Sequence, residues 1–176
     1  VIANHPTLID VLVMIGLMQQ AKCVVKQSLW SNPFTRGPVR SAGYILNAGS
    51  QQFIEDCVLR LKQQGAASLL IFPEGTRTEK GECLNEFQRG AANIAIRANV
   101  PVRPVLIRCT PSTLTKNEKW YHVPAQPFHI EIKVLDAIEV QDILADSEVS
   151  PKQVRQLNQG FYQIFNNELS KNEQSC

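Results

Sequence analysis

No run in this chain is long and apolar enough to cross a bilayer; the most apolar stretch, Leu8 to Met18, is too short and carries Asp10. Metal-ligand spacing is absent as well, since His5, His122 and His129 have no paired partners and Cys23, Cys57, Cys83, Cys109 and Cys176 are scattered singly. No metal site is therefore expected. Charge of one sign is not in excess: 18 Lys and Arg against 16 Asp and Glu leave a net charge of +2. That balance gives no reason to expect nucleic acid as a partner and fits anionic lipid or phosphate only weakly. Internal repeats and low-complexity segments are missing too, which excludes solenoids and disordered arrays.

What is present is ordinary globular sequence. A chain of 176 residues with 44% hydrophobic and 19% charged residues suffices for one well-cored domain, expected over residues 1–169 with a polar tail at 170–176. Cys23, Cys57 and Cys109 stand in apolar settings and read as buried thiols of a reducing compartment. The first residue is Val1 rather than Met, and a polar motif begins at once, so the chain reads as a piece whose N-terminal part, including any membrane anchor, lies upstream.

That motif is Asn4-His5-Pro6-Thr7-Leu8-Ile9-Asp10. Pro6 suits the first position of a helix, which places Asp10 in the second turn with His5 at the mouth. The run from Leu8 to Met18 is apolar on every side except at Asp10, so a buried helix is expected. A carboxylate buried alone is costly, and His5 is its nearest partner in sequence. Two readings stand open on these residues. Either His5 caps the helix while Asp10 bonds to backbone, or the carboxylate holds one imidazole nitrogen and leaves the other to take a proton from a hydroxyl.

Downstream, Ala21 to Lys26 reads as a short buried strand, and Ser28 to Ser41, with Asn32-Pro33 and Gly37-Pro38, as a loop carrying Arg36 and Arg40. A short strand at Tyr44 to Leu46 and a turn at Asn47 to Ser50 precede an amphipathic helix over Gln51 to Gln64, capped by Ser50 and closed by Gly65. Ser68 to Phe72 has the consecutive apolar residues of a parallel strand covered on both faces. Gln88 to Ala98 is a helix rich in small residues, ended by Asn99 and Pro101. Val102 to Arg108 is a strand that Pro104 places near an edge or bulge, and Cys109 to Pro127 is a long polar loop. Phe128 to Leu135 alternates as a half-covered strand. A last helix over Pro151 to Leu169 opens with Ser150 and Gln153 in a capping box. Strands alternate with helices through most of the chain, which predicts an α/β fold, a single domain with a mostly parallel central sheet flanked by helices.

The strand ending at Phe72 runs directly into Pro73-Glu74-Gly75-Thr76-Arg77, at the kind of strand end where α/β sheets bind ligands. Gly75 permits a sharp turn that brings Glu74 and Arg77 to one site. A guanidinium there suits a phosphate, and a carboxylate a polyol hydroxyl; an ion pair between the two that merely stiffens the turn is the other reading.

Asn4-His5 with Asp10, then Phe72-Pro73-Glu74-Gly75-Thr76-Arg77, then Val100-Pro101-Val102-Arg103-Pro104-Val105, in this order, resemble the motifs of the glycerolipid acyltransferase family, the lysophosphatidic acid acyltransferase-like enzymes. The resemblance implies transfer of a fatty acyl group from an acyl thioester, on acyl-CoA or acyl carrier protein, to a hydroxyl of a lysophospholipid-like acceptor. It needs no other cofactor. His5 would be the general base and Asp10 its orienting partner, with no acyl-enzyme. Glu74, Gly75, Thr76 and Arg77 would hold the acceptor head group, with Arg77 on its phosphate; the stretch from Val100 to Val105 is taken only as apolar packing. Family members often carry a phosphate-binding arginine where this chain reads Gly43-Tyr44-Ile45-Leu46-Asn47-Ala48, so either Lys26, Arg36 or Arg40 supplies that charge or the acceptor differs from simple lysophosphatidic acid. The resemblance further implies work at a membrane surface, on the cytoplasmic face of the inner or corresponding membrane, to which Trp30, Trp120 and Tyr121 could contribute. An acyl thioesterase or hydrolase using the same His5 and Asp10, with water as acceptor, is the alternative, and a non-catalytic lipid- or carrier-binding module ranks behind it.

Overall fold

A computed structural model of the chain describes residues 1–18, 21–26, 31, 37, 41, 44–47, 51–63, 68–119, 121, 124–142 and 150–171. Its elements are β1 (Ile2–Ala3), α1 (Asp10–Leu17), β2 (Lys22–Lys26), β3 (Ile45–Asn47), α2 (Gln51–Lys62), β4 (Leu69–Leu70), α3 (Gly90–Ala98), β5 (Pro104–Thr110), β6 (His129–Val134), a short 3-10 turn (Val140–Asp142) and α4 (Pro151–Ser170).

Two three-stranded ladders, β3-β2-β4 and β1-β5-β6, meet where Ile2 bridges Ile71 in parallel. Ala3 N–H donates to the Ile71 carbonyl at 3.1 Å, and Ile71 N–H to the Val1 carbonyl at 3.0 Å. The sheet therefore reads β3-β2-β4-β1-β5-β6, parallel throughout except for the antiparallel β5–β6 pair. Side chains alternate across it as strand geometry demands. Ala3, Cys23, Leu70, Val105 and Ile107 pack beneath α1 around Met14, whereas Ile2 and Leu106 face α3 and α4. Leu69 and Ile45 meet Phe53 and Cys57 of α2 and Ile94 of α3 on that same second face.

This arrangement makes a crevice. β1 and β4 are parallel neighbours, yet the chain leaving β1 goes to α1 on one face and the chain leaving β4 goes to α3 on the other. The carboxyl ends of two such strands are splayed apart, which is where open α/β sheets hold ligands.

The local signals for α3 and α4 hold. Asn99 takes the left-handed conformation (φ 53°) that ends α3, and Ser150 and Gln153 exchange both hydrogen bonds of the capping box that starts α4. Three expectations need correction. Helix α1 begins at Asp10 rather than Pro6, with Ile9 in the capping position, because the Asp10 carboxylate draws the preceding turn onto itself. Nor is α1 buried all round: Asp10 and Met14 are covered, but Leu12 is 72% and Leu17 66% exposed. Apolar composition does not say how many sides of a helix are covered, and the sheet covers one. Finally, β5 is an interior strand rather than an edge. Pro104 is tolerated as its first residue, where the missing N–H interrupts nothing. Ser50, Gly65, Trp30, Trp120 and the turn after Asn47 lie outside the described residues.

Candidate active site

β1 ends at Ala3, and the next residue continues its ladder with a side chain. Asn4 is buried; its Nδ2 donates to the Ile107 carbonyl at 2.8 Å and its Oδ1 accepts from Ile107 N–H at 2.7 Å. An amide side chain thus stands in for a peptide group, and the main chain is free to turn away at His5.

His5 then sits over the crevice. Its Nδ1 lies 3.0 Å from Asp10 Oδ2, and its ring stacks on Phe72 with centroids 4.4 Å apart. Asp10 is wholly buried and accepts twice from Thr7 as well, from the main-chain N–H at 2.7 Å and the hydroxyl at 2.5 Å. A buried carboxylate needs this many donors to remain in place. Asp10 selects the tautomer with hydrogen on Nδ1 and leaves Nε2 uncommitted to it. Of the two readings of the motif, the structure thus brings His5 and Asp10 together as a dyad, with Thr7 as the residue that the sequence showed only as a neighbour.

The loop from Pro73 to Arg77 closes the other side of the crevice. Gly75 adopts φ 68°, a left-handed conformation that side chains with a Cβ rarely take. The turn sends Glu74 and Arg77 to different partners, so the intraloop ion pair is not formed. Glu74 points inward and is buried; its carboxylate accepts from His5 N–H at 2.7 Å, from the Thr78 hydroxyl at 2.9 Å and from Asn85 N–H at 2.9 Å. Burial raises its pKa above the ordinary carboxylate range, against the opposing pull of those donors. Both oxygens of this carboxylate are thus engaged by donors within the protein. Thr78 and Asn85 carry no signal in the sequence, because what places them is a buried carboxylate several residues away.

Arg77 points outward along the crevice. Its Nη1 donates to the carbonyls of Leu114 and Thr115 at 3.0 and 2.8 Å, which orients the guanidinium plane. The same loop holds α1, since Leu8 N–H also donates to Leu114.

Between these groups opens a cavity of about 340 Å³. His5, Gly75, Thr76 and Arg77 line it at the strand ends, and Val11, Val24, Phe53 and Ile94 carry an apolar wall inward. Cys23 also faces it, and burial pushes that thiol up to about 12, so it is not a ready thiolate. Lys26 closes β2 opposite Asn47, while Arg36 and Arg40 lie outside the described residues. The stretch from Val100 to Arg103 enters β5 at the opposite end from the dyad, and Val102 packs into the core there. Among the described residues no group of three metal-ligating side chains occurs, and no helix is long and apolar enough to cross a membrane.

Known proteins share this sequence and this fold. A family model described as Acyltransferase matches residues 1–108. Three relatives carry the name 1-acyl-sn-glycerol-3-phosphate acyltransferase, one of them provisionally. That one, acl-2 of Caenorhabditis elegans, is 30% identical over 159 residues, 85% of this chain and 54% of that protein. The alpha form of Mus musculus is 26% identical over 160 residues, 83% of this chain and 52% of that protein. The Saccharomyces cerevisiae protein is 32% identical over 120 residues, 64% of this chain and 39% of that protein. The chain thus spans about half the length, or less, of these relatives. The crystal structure of the 1-acyl-sn-glycerophosphate (LPA) acyltransferase PlsC from Thermotoga maritima shares the fold, with a TM-score of 0.72 at 19% identity, covering 98% of this chain and 65% of that one.

Proposed function

The chain belongs to the acyltransferase family, and from that premise we propose that it moves a fatty acyl group from an acyl thioester to a hydroxyl of a lysophospholipid-like acceptor. The observation that carries the proposal is the His5–Asp10 pair, 3.0 Å apart at the mouth of an apolar cavity. Nε2 of His5 takes the acceptor's hydroxyl proton as its oxygen attacks the thioester carbonyl. The C–S bond then breaks, and the departing thiolate recovers that proton from the imidazolium. Asp10 stabilises the imidazolium between the two events. The thioester is already activated, so the step balances without a further cofactor.

Direct attack is favoured over an acyl-enzyme by the state of the nearby nucleophiles. The Thr7 hydroxyl is committed to Asp10, and Cys23 remains a thiol. Arg77 is assigned to the acceptor phosphate, its plane set by Leu114 and Thr115; Gly75 and Thr76 line the same end of the cavity. The apolar wall through Val24 and Phe53 suits a fatty chain. The donor carrier is acyl-CoA or acyl carrier protein, and the acceptor places the reaction at a membrane surface, on the cytoplasmic face where those carriers are held.

The test is product analysis by lipid mass spectrometry with mixed lysolipids and both donor types. Acylated lysolipid is expected, and His5→Ala is expected to remove nearly all of it while melting at the parent's temperature. Release of free fatty acid alone, with or without lysolipid, would replace the proposal by a thioesterase; substantial transfer by His5→Ala would remove the base.

A further inference from the structure

Helix α1 carries one polar side chain, Asp10, and that one is turned inward to His5. Its outer side offers Leu12 and Leu17 to solvent, 72% and 66% exposed, and Leu8 just before it is 41% exposed. Scattered apolar surface residues are ordinary, but a helix with an outer face made of leucine and glycine is, among the described residues, an unpartnered surface. Leu8 ties that face to the chemistry, because it also lines the cavity that holds His5 and Arg77. The loop whose Leu114 carbonyl accepts from Leu8 N–H carries further groups suited to an interface. It carries Lys119, whose Nζ stands 5.6 Å from the centre of the Tyr121 ring, and Tyr121 is itself 60% exposed. An apolar helix face, joined through Leu8 to a loop that bears an exposed aromatic ring and an ammonium, suits a surface lying in a lipid headgroup layer.

We propose that the outer face of α1, Leu12 and Leu17, with Leu8 just before it and Lys119 and Tyr121 on the loop bonded to Leu8, is where the protein lies on an anionic bilayer, so that an acceptor lipid enters the cavity past Leu8 without crossing water. The inference rests on the acyltransferase reading for the identity of the lipid. A bilayer is the occupant, rather than a second copy of the chain, because a protein seated on Leu8 would close the mouth of the cavity, whereas a lipid surface supplies it.

The test uses Leu12→Glu together with Leu17→Lys. This pair leaves the net charge unchanged and suits the helix dipole, with the acid nearer the start and the base at the end. Co-sedimentation with vesicles of phosphatidylcholine and phosphatidylglycerol is expected to weaken by roughly tenfold or more, with the melting temperature unchanged. Leu12→Phe with Leu17→Phe, which keeps the apolar area, is expected to sediment as the parent does. Transfer to a vesicle-borne lysolipid is expected to fall with binding, while transfer to a short-chain, monomeric lysolipid stays at the parent's rate. Equal sedimentation of the charged pair and the parent overturns the docking face. So does a parent dimer that the charged pair dissociates without altering vesicle binding. If neither protein acylates the monomeric acceptor while vesicle binding still follows the leucines, the acyltransferase reading fails and the docking face stands.

Discussion

The main-chain N–H of His5 donates to Glu74 Oε1 across 2.7 Å, joining residues 69 apart in the chain. The proposed base, His5, is thereby held from two sides. Asp10 sets its ring, and Glu74 sets the backbone from which the ring projects. Thr78 N–H closes the same joint by donating to the His5 carbonyl at 2.8 Å.

Glu74 is consequently expected to behave as a positioning residue. Glu74→Gln keeps an acceptor for His5 and should lower kcat while leaving the acceptor KM near the parent value. Glu74→Ala orphans the buried donors of His5 and Asn85 and should cost about 3 kcal/mol of stability. Steady-state kinetics and denaturant unfolding of both variants check this; a raised acceptor KM with normal kcat in Glu74→Gln would return the carboxylate to the substrate.

Arg77 gives the opposite kinetic pattern. Arg77→Ala should raise the acceptor KM by roughly tenfold or more, with a smaller change in kcat. Arg77→Lys should rescue little, because an ammonium lacks the fork that grips Leu114 and Thr115 while facing a phosphate. An unchanged KM in Arg77→Ala would remove the phosphate from this site.

Much of the site was legible because its signals are short-range. His5 and Asp10 fall in one motif, Gly75 marks the turn that needs it, and Ser150 with Gln153 announces α4 within one helical turn. What escaped was long-range. That Glu74 reaches the main chain of His5 depends on a sheet bridge between Ile2 and Ile71, and no local pattern carries that. The exposure of Leu12 escaped for a related reason: its letter records hydrophobicity, while coverage is decided by how many layers fold over α1.

Thr7 was visible only as a neighbour of His5, and its role is testable by chemistry. Thr7→Val removes the hydroxyl bond to Asp10 and leaves a buried carboxylate oxygen short of a donor, at a cost of about 2 kcal/mol. Activity should fall with it, and Thr7→Ser, which restores the hydroxyl, should recover both. A Thr7→Ser variant no better than Thr7→Val would show that the methyl group, not the hydroxyl, matters.

Acid sensitivity should appear at the far end of α4. The Lys133 and Lys171 ammonium groups, 2.7 and 2.5 Å from Glu168, hold its carboxyl at about 2, below its ordinary 4.5. A pKa lowered by folding contributes stability above the unfolded value and loses it as pH falls towards the folded one. The melting-temperature gap between the parent and Glu168→Gln is therefore expected above pH 4.5 and should close as the pH approaches 2. Added salt should narrow it, since the pair is solvent-facing. A gap independent of pH would assign the loss to packing.

Asn4 has a consequence for how this protein comes to life. Its amide reaches Ile107, 103 positions along the chain, before His5 has a fixed direction. Such a contact closes a long loop, whose entropy must be met before the pairing is rewarded. The direction of the histidine is thus set by completion of the sheet as well as by the segment that carries it. A nascent or partly opened chain would hold the whole motif without the geometry on which the proposed chemistry depends.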